Sequence, residues 1–509
     1  MDTMKKRPDS PILRASKILL PTCLGLVFYM QLGKTANSQT TELVSVSSSG
    51  AQADGNSEHS AISASGRFVA FDSAAINLVP SDMNERVDIF VRDRENSSTT
   101  RMSVTLGGVE ANNLSQHPSI SANGRFVTFD SAASNLVSGD TNNRYDIFVR
   151  DRDLDTDGIF DESDAVTTFR ASVSTGGGQA DRSSFWPSIS GDGQYVAFAS
   201  ASTNLVPDDT GGFSDIFVRG LFAGGTRRVS IVTLSTTPPT FGDGGNESSY
   251  FASVSGDGRH VAFVSRASNL DPRDGTPYAS GGGQDAYVHD RDVDEDGIFD
   301  EPETAAISTT LVSVSSLGVK GNGDVERVSI SADGRFVAFD STSTDLVPGP
   351  SPQFTQVYVH DRDADSDGVM DEDGAIATVR VSNSLIGEPG NGASFAPSIS
   401  ADGRYVAFIS AAENLVPGDD NGFNDIFVHD RTTGQITRVS KSSSGEQGDD
   451  NSQGLPRISG NGRYVAFESA AKNLVPNTNI MRHVFVHDYL GEPEPPAFVL
   501  PFLPLLLED

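Results

Sequence analysis

Seven copies of one phrase, an alternating apolar pattern after each, and a strand displaced from the end of the array to its beginning predict an all-β protein. The expected fold is a seven-bladed β-propeller of four-stranded antiparallel blades, its ring closed by the N-terminal strand. The phrase reads Ser63-Ala-Ser-Gly66-Arg-Phe-Val-Ala-Phe71 in its first copy and Ser190-Gly-Asp-Gly193-Gln-Tyr-Val-Ala-Phe198 in its third. Its glycines are Gly66, Gly124, Gly193, Gly258, Gly334, Gly403 and Gly462, spaced by 58, 69, 65, 76, 69 and 59 residues. A unit of that size cannot bury its apolar face alone and must stack on its neighbours.

Each copy decodes into four short strands. A segment such as Pro187–Ser190 is the first, preceded by aromatic residues in three copies: Phe185-Trp186, Tyr250-Phe251 and Phe395. An Asp-Gly or Asn-Gly hairpin turn follows in most copies. Then come an alternating strand such as Tyr195–Phe198 and a third strand reading Asp-Ile-Phe-Val at 88–91, 146–149, 215–218 and 425–428. The fourth resembles Thr437–Ser440. β-Branched and aromatic residues fill all four, and no stretch of the array has a helical period. After the last third strand the chain runs into Gly-Glu-Pro-Glu-Pro-Pro, whereas Glu42–Ser47 matches the fourth-strand copy Thr310–Ser315. The N-terminal strand therefore completes the last blade and removes an open edge.

The ends differ from the array. Residues 1–38 have a basic start (Lys5, Lys6, Arg7), an apolar run Ile18–Leu32 and a small-residue site Ala36-Asn37-Ser38, as an export signal does. The expected organisation is a signal peptide over 1–38, the propeller over 39–489, and a Pro-rich linker with a short apolar tail over 490–509. Neither apolar end makes a stable membrane span. The location expected is secreted, periplasmic or at the cell surface. Cys23 is the sole cysteine and lies inside the signal, so the exported chain has no disulfide. The 37 basic against 69 acidic residues give a net charge of -32, which excludes a nucleic-acid partner and favours cations.

The repeated Ile-Ser-x-Asp-Gly-Arg-Tyr-Val-Ala-Phe, followed by Asp-Ile-Phe-Val, resembles the TolB-like family of WD-repeat-like bacterial β-propellers. The likeness covers roughly 41–489. It implies the propeller fold and an extracytoplasmic setting; the family includes periplasmic scaffolds and non-catalytic propellers attached to peptidases.

Three copies carry an acidic insertion between the third and fourth strands. They read Asp153-Leu-Asp155-Thr-Asp157-Gly-Ile159-Phe-Asp161, Asp292-Val-Asp294-Glu-Asp296-Gly-Ile298-Phe-Asp300 and Asp363-Ala-Asp365-Ser-Asp367-Gly-Val369-Met-Asp371. Alternate aspartates face one side of a curled loop, glycine permits the bend, and the next residue offers its backbone carbonyl. The loops resemble those of EF-hands and thrombospondin type 3 repeats, without flanking helices. The expected cofactor is calcium, with all fifteen numbered residues as ligands, and the apolar pair after each glycine is expected to pack the loop on its own blade.

Other candidates have plainer readings. His289, His360, His429 and His487 share one repeat position and are expected to face solvent on separate blades. The asparagines of Asn-Leu-Val (Asn77, Asn135, Asn204, Asn414, Asn473) are expected to bond local backbone. Asp140-Thr-Asn142 and Asp419-Asp-Asn421 read as Asx turns or as a further ion site. The aromatics before the first strands either ring the channel mouth or pack between blades. With no nucleophile, zinc or phosphate motif, the chain is not read as an enzyme. The expected function is a monomeric, exported, calcium-binding scaffold for an unidentified protein or glycan on one propeller face. A hydrolase or lyase with a polar site at the channel mouth, and a structural envelope component, are the alternatives.

Overall fold

The computed structural model describes residues 39–207, 209, 211–222, 224–232, 244–274, 283–301 and 306–491. The expected signal segment and the tail from 492 onwards lie outside the described residues. Seven four-stranded antiparallel sheets make up the fold, and six are built from four consecutive strands. The first blade uses Ser57–Ile62, Phe68–Ser73, Asp88–Asp93 and Ser98–Arg101. The seventh uses Ser452–Ile458, Tyr464–Ser469 and His483–Asp488, and takes its outer strand, Thr41–Leu43, from the N-terminus. Thr41 pairs with His487 and Leu43 with Phe485. Beyond this short ladder, the Val44 N–H donates to the Val484 carbonyl at 2.9 Å.

Second and third strands are buried on both faces, because each blade packs between two others. An aromatic pair such as Phe71 on Phe90 stacks across them in every blade, with centroids 5.8–6.0 Å apart. The apolar clusters straddle neighbouring blades: Phe68 and Ala70 of the first pack with Val127 and Phe129 of the second.

The repeated glycine is required twice over. All seven have φ between 70° and 81°, where a side chain is strained. A Cβ there would also meet the ring that opens the second strand of the preceding blade, at 2.0–2.3 Å. The arginine after the glycine pairs with the last aspartate of its own third strand in six blades, at 2.7–2.8 Å (Arg67–Asp93 and its equivalents).

The first hairpins meet at the centre. Each tip donates a backbone N–H to the tip of the next blade at 2.9–3.1 Å, from Ala64 to Ala122 through to Asn461 back to Ala64. The seven tip residues Ala64, Ala122, Gly191, Gly256, Ala332, Ala401 and Gly460 are all alanine or glycine. A Cβ on Gly460 would lie 2.9 Å from that of Ala64, so nothing larger fits. Among the described residues no helix is long and apolar enough to cross a membrane.

The first strands begin earlier than the sequence pattern suggests. The third runs Ser184–Ile189, with a bulge between Phe185 and Ser188, so the aromatic residues lie inside the strand and not before it. The bulge conceals the strand because it breaks the period of two.

Candidate functional site

The bulges aim one residue per blade at the axis. His59, His117, Trp186, Phe251 and Ala396 all have φ between 46° and 55°, a left-handed conformation costly for residues with a Cβ. Arg327 fills the same register in the fifth blade. Five successive blades thus present a crescent. The rings of His59 and His117 meet at 4.5 Å, His117 stacks on Trp186 at 3.6 Å, and Trp186 meets Phe251 edge-on at 5.4 Å. The Arg327 guanidinium lies 3.4 Å from the Phe251 centroid. Blades six and seven contribute the smaller Ala396 and Leu455, leaving a cavity of about 180 Å³.

Arg457 of the seventh blade also lines this cavity. It occupies the register that holds Ser119, Ser188, Ser253, Ser329 and Ser398 in five other blades. Those serines accept a backbone N–H from the next blade at 3.2–3.3 Å. The seventh blade gives up that bond and places a guanidinium there. Burial, together with the repulsion of Arg327, pulls its pKa down to about 10.

Among the described residues no Asp or Glu lines the cavity. Four carboxylates stand one layer behind it, on the second strands: Asp72, Asp130, Asp340 and Glu468. Asp72 and Asp130 each accept from a histidine Nδ1 at 2.8 Å, those of His59 and His117. Glu468 accepts the His59 backbone N–H at 2.6 Å, and Asp340 those of Glu326, Arg327 and Ala396 at 2.8–3.0 Å. These bonds hold the bulges in their strained form. Burial pushes Glu468 up to about 7 and Asp340 to about 6. Burial also works against charge on His59, but Asp72 outweighs it and holds its pKa above the ordinary value.

The acidic insertions lie on the third-to-fourth strand connections of blades two, four and five, which all leave the blade end that carries the first hairpin. In each, the first three aspartates converge: one oxygen each of Asp153, Asp155 and Asp157 lies within 4.8 Å of the others, as in the trios 292, 294, 296 and 363, 365, 367. Asp153 is buried and accepts the N–H groups of Asp157 and Gly158 at 3.1 and 3.2 Å, which pre-forms the curl. Ile159, Ile298 and Val369 point their side chains to solvent. An all-oxygen, flexible donor set of this kind fits a hard cation such as calcium.

The fourth aspartate is placed differently. Asp161, Asp300 and Asp371 pair with Arg152, Arg291 and Arg362 at 2.5–2.7 Å, apart from the three-carboxylate groups. Each of these buried arginines also donates to the turn-glycine carbonyl of its own blade at 2.7–2.9 Å. Phe160 packs on Phe68 and Phe299 on Tyr195, rings of the preceding blades. The insertions of blades two and four therefore clip adjacent blades together and do not rest only on their own blade as expected.

Two further expectations are corrected and a third is narrowed. His289, His360 and His487 are buried, because the third strand is covered on both faces; each Nδ1 meets a threonine hydroxyl of the outer strand at 2.8–2.9 Å. Burial holds His289 and His360 down to about 4. The Asn-Leu-Val asparagines bond backbone far along the chain: Asn77 donates to the Gln52 carbonyl at 2.8 Å and accepts the Asp54 N–H, tying the loop to the entry of its own blade. Asn142 and Asn421 make the expected Asx turns, accepting the N–H groups of Arg144 and Phe423 at 3.0 Å, while Asp140 and Asp419 hold Arg170 and Arg438 at 2.9 and 2.8 Å. Of the aromatic residues, Trp186 and Phe251 line the cavity, whereas Phe185 packs on Tyr145 and Phe395 on the inter-blade core.

Neither a family model nor a curated protein matches the sequence. Solved propellers are similar at low identity. TolB from Acinetobacter baumannii is 14% identical over 75% of this chain, with a TM-score of 0.33, and the match spans 63% of that protein's length. The β-propeller domain of the Trilobed protease from Pyrococcus furiosus is 11% identical over 87% of this chain and 99% of its own, at 0.45. Oligogalacturonate lyase from Vibrio parahaemolyticus is 9% identical over 89% of this chain and 97% of its own, at 0.45.

Proposed function

We propose that this protein is an exported, calcium-stabilised β-propeller that binds a protein or glycan at its central channel without transforming it. The observation that carries this reading is the cavity: strained bulges, held by buried carboxylates, bring together side chains that differ from blade to blade, with only the histidine used twice. Such strain persists where the surroundings over-determine it, as at binding sites. The acidic insertions fit the role of ion clips, since those of blades two and four already fasten two blades.

Immobilised protein, screened in calcium against glycan and peptide arrays, tests the reading. Binding is expected for the native chain and is lost in the variant Trp186→Ala with Arg457→Gln. Binding that survives this pair of substitutions overturns the channel as the site. Calcium, more than magnesium, is expected to raise the melting temperature, and Asp155→Asn with Asp157→Asn to blunt the rise; an identical melt with calcium and with chelator refutes the clips.

One observation favours a second reading, a hydrolase or lyase. Glu468, with a pKa near neutrality, sits behind His59 and its partner Asp72, a combination suited to proton transfer. Mass analysis of any bound glycan decides between the two: an unchanged mass supports binding alone, and a cleaved or unsaturated product supports the enzyme.

A further inference from the structure

Resting on the reading of the channel as the binding site, we infer that the cavity takes a small organic anion, its carboxylate or phosphate held between Arg327 and Arg457 and its body against Trp186 and Phe251. Charge placement carries the inference. The chain has 69 acidic residues, yet the cavity lining contains none, while two guanidinium groups and two imidazoles reach it. The nearest carboxylates stand outside the lining and accept from His59, His117 and backbone N–H groups. Among the described residues neither Arg327 nor Arg457 has a carboxylate within ion-pair distance, in contrast to the six arginines that follow the turn glycines.

Two like charges at one cavity are unfavourable without an anion between them. Arg457 in addition forfeits the serine stitch that five other blades make, so its presence has no structural return. An anion bridging both guanidinium groups would gain charge-assisted hydrogen bonds in a place shielded from the acidic exterior, whose field fades over about 8 Å at physiological salt. The space suits a molecule that displaces on the order of a dozen waters, a monosaccharide acid or a phosphate ester.

Trp186 is the only tryptophan of the chain, so its emission reports on this cavity alone. The full-length protein is titrated in calcium with glucuronate against glucose, and with phenyl phosphate against benzyl alcohol. A saturable change is expected for at least one anion and not for its neutral counterpart, weakening as salt rises. Which anion responds separates carboxylate from phosphate recognition. Arg457→Gln and Arg327→Gln should each weaken binding by about tenfold or more at an unchanged melting temperature. If either variant melts early, Leu455→Glu, which adds a carboxylate to the lining, should abolish the response instead. Equal binding of neutral and charged probes overturns the anion assignment and leaves the channel site standing. No response to any probe overturns both.

Discussion

The rim and the channel treat repetition in opposite ways. On the rim, three insertions repeat a carboxylate trio and an arginine held by the fourth aspartate, and two of them also set an aromatic ring on the preceding blade. In the channel, equivalent positions carry His59, His117, Trp186, Phe251, Arg327, Ala396 and Gly454, with only the histidine used twice. Contacts that hold identical blades together must be the same at each joint. A ligand that lies inside a ring of seven breaks its symmetry, so residues that meet it need not be alike. Sameness among repeats marks architecture here, and difference marks recognition.

That contrast can be broken by substitution, most severely at the joints. Gly403→Ala should cost about 5 kcal/mol, because φ is 70° and the new Cβ would meet Phe336 at 2.0 Å. Denaturant titration measures it, and a loss below 1 kcal/mol would remove the turn glycine from the joint. Next, Arg291→Ala leaves Asp300 and the Gly258 carbonyl without their partner and removes a stack on Tyr195, at a cost of about 3–4 kcal/mol. A neutral outcome would show that the insertion is an ornament on the rim and not a clip.

The channel predictions are smaller and depend on pH. The pKa of Glu468 is about 7 in the folded chain against an ordinary 4.5, so the folded state holds the proton more tightly. Its contribution is therefore present below pH 4.5 and lost as pH rises through 7, a fall of about 3 kcal/mol. His59, raised by Asp72, acts in the same direction. Glu468→Gln should flatten stability between pH 5 and 8; an unchanged slope would deny the buried proton. The smallest effect is expected at Ala396, where Gly relieves the left-handed strain but frees the unfolded chain, for a net change within about 1 kcal/mol. The contrast of Ala396→Gly with Gly403→Ala, seven residues apart on one blade, is the sharpest form of the comparison.

Much of this was legible in the chain. The turn glycines counted the blades, and Glu42–Ser47 disclosed how the ring closes. The trios of aspartate were visible because alternation on a tight loop survives any packing context. The channel was less legible. Its strands hide behind bulges, since Ser184–Ile189 does not alternate cleanly, and Arg457 stands in the register of Ser398, 59 residues earlier, but differs from it in type. A signal existed: aligned by their glycines, the copies nearly share the end of the first strand and its turn, and diverge at the second, third and fourth residues of that strand. The buried histidines misled for the opposite reason, because a polar residue that alternates with arginine looks exposed until the neighbouring blade is in place.

The seven-membered circle of hairpin tips has a consequence for traffic. Links of strand-pair spacing put opposite Cα atoms only about 11 Å apart before any atom around them is counted. Water and small ions pass such a neck, but a polymer does not thread it. The channel is thus a cup with a drain and not a tunnel. A long chain can be met only at its end, from the wide mouth, and whatever enters must leave by the way it came.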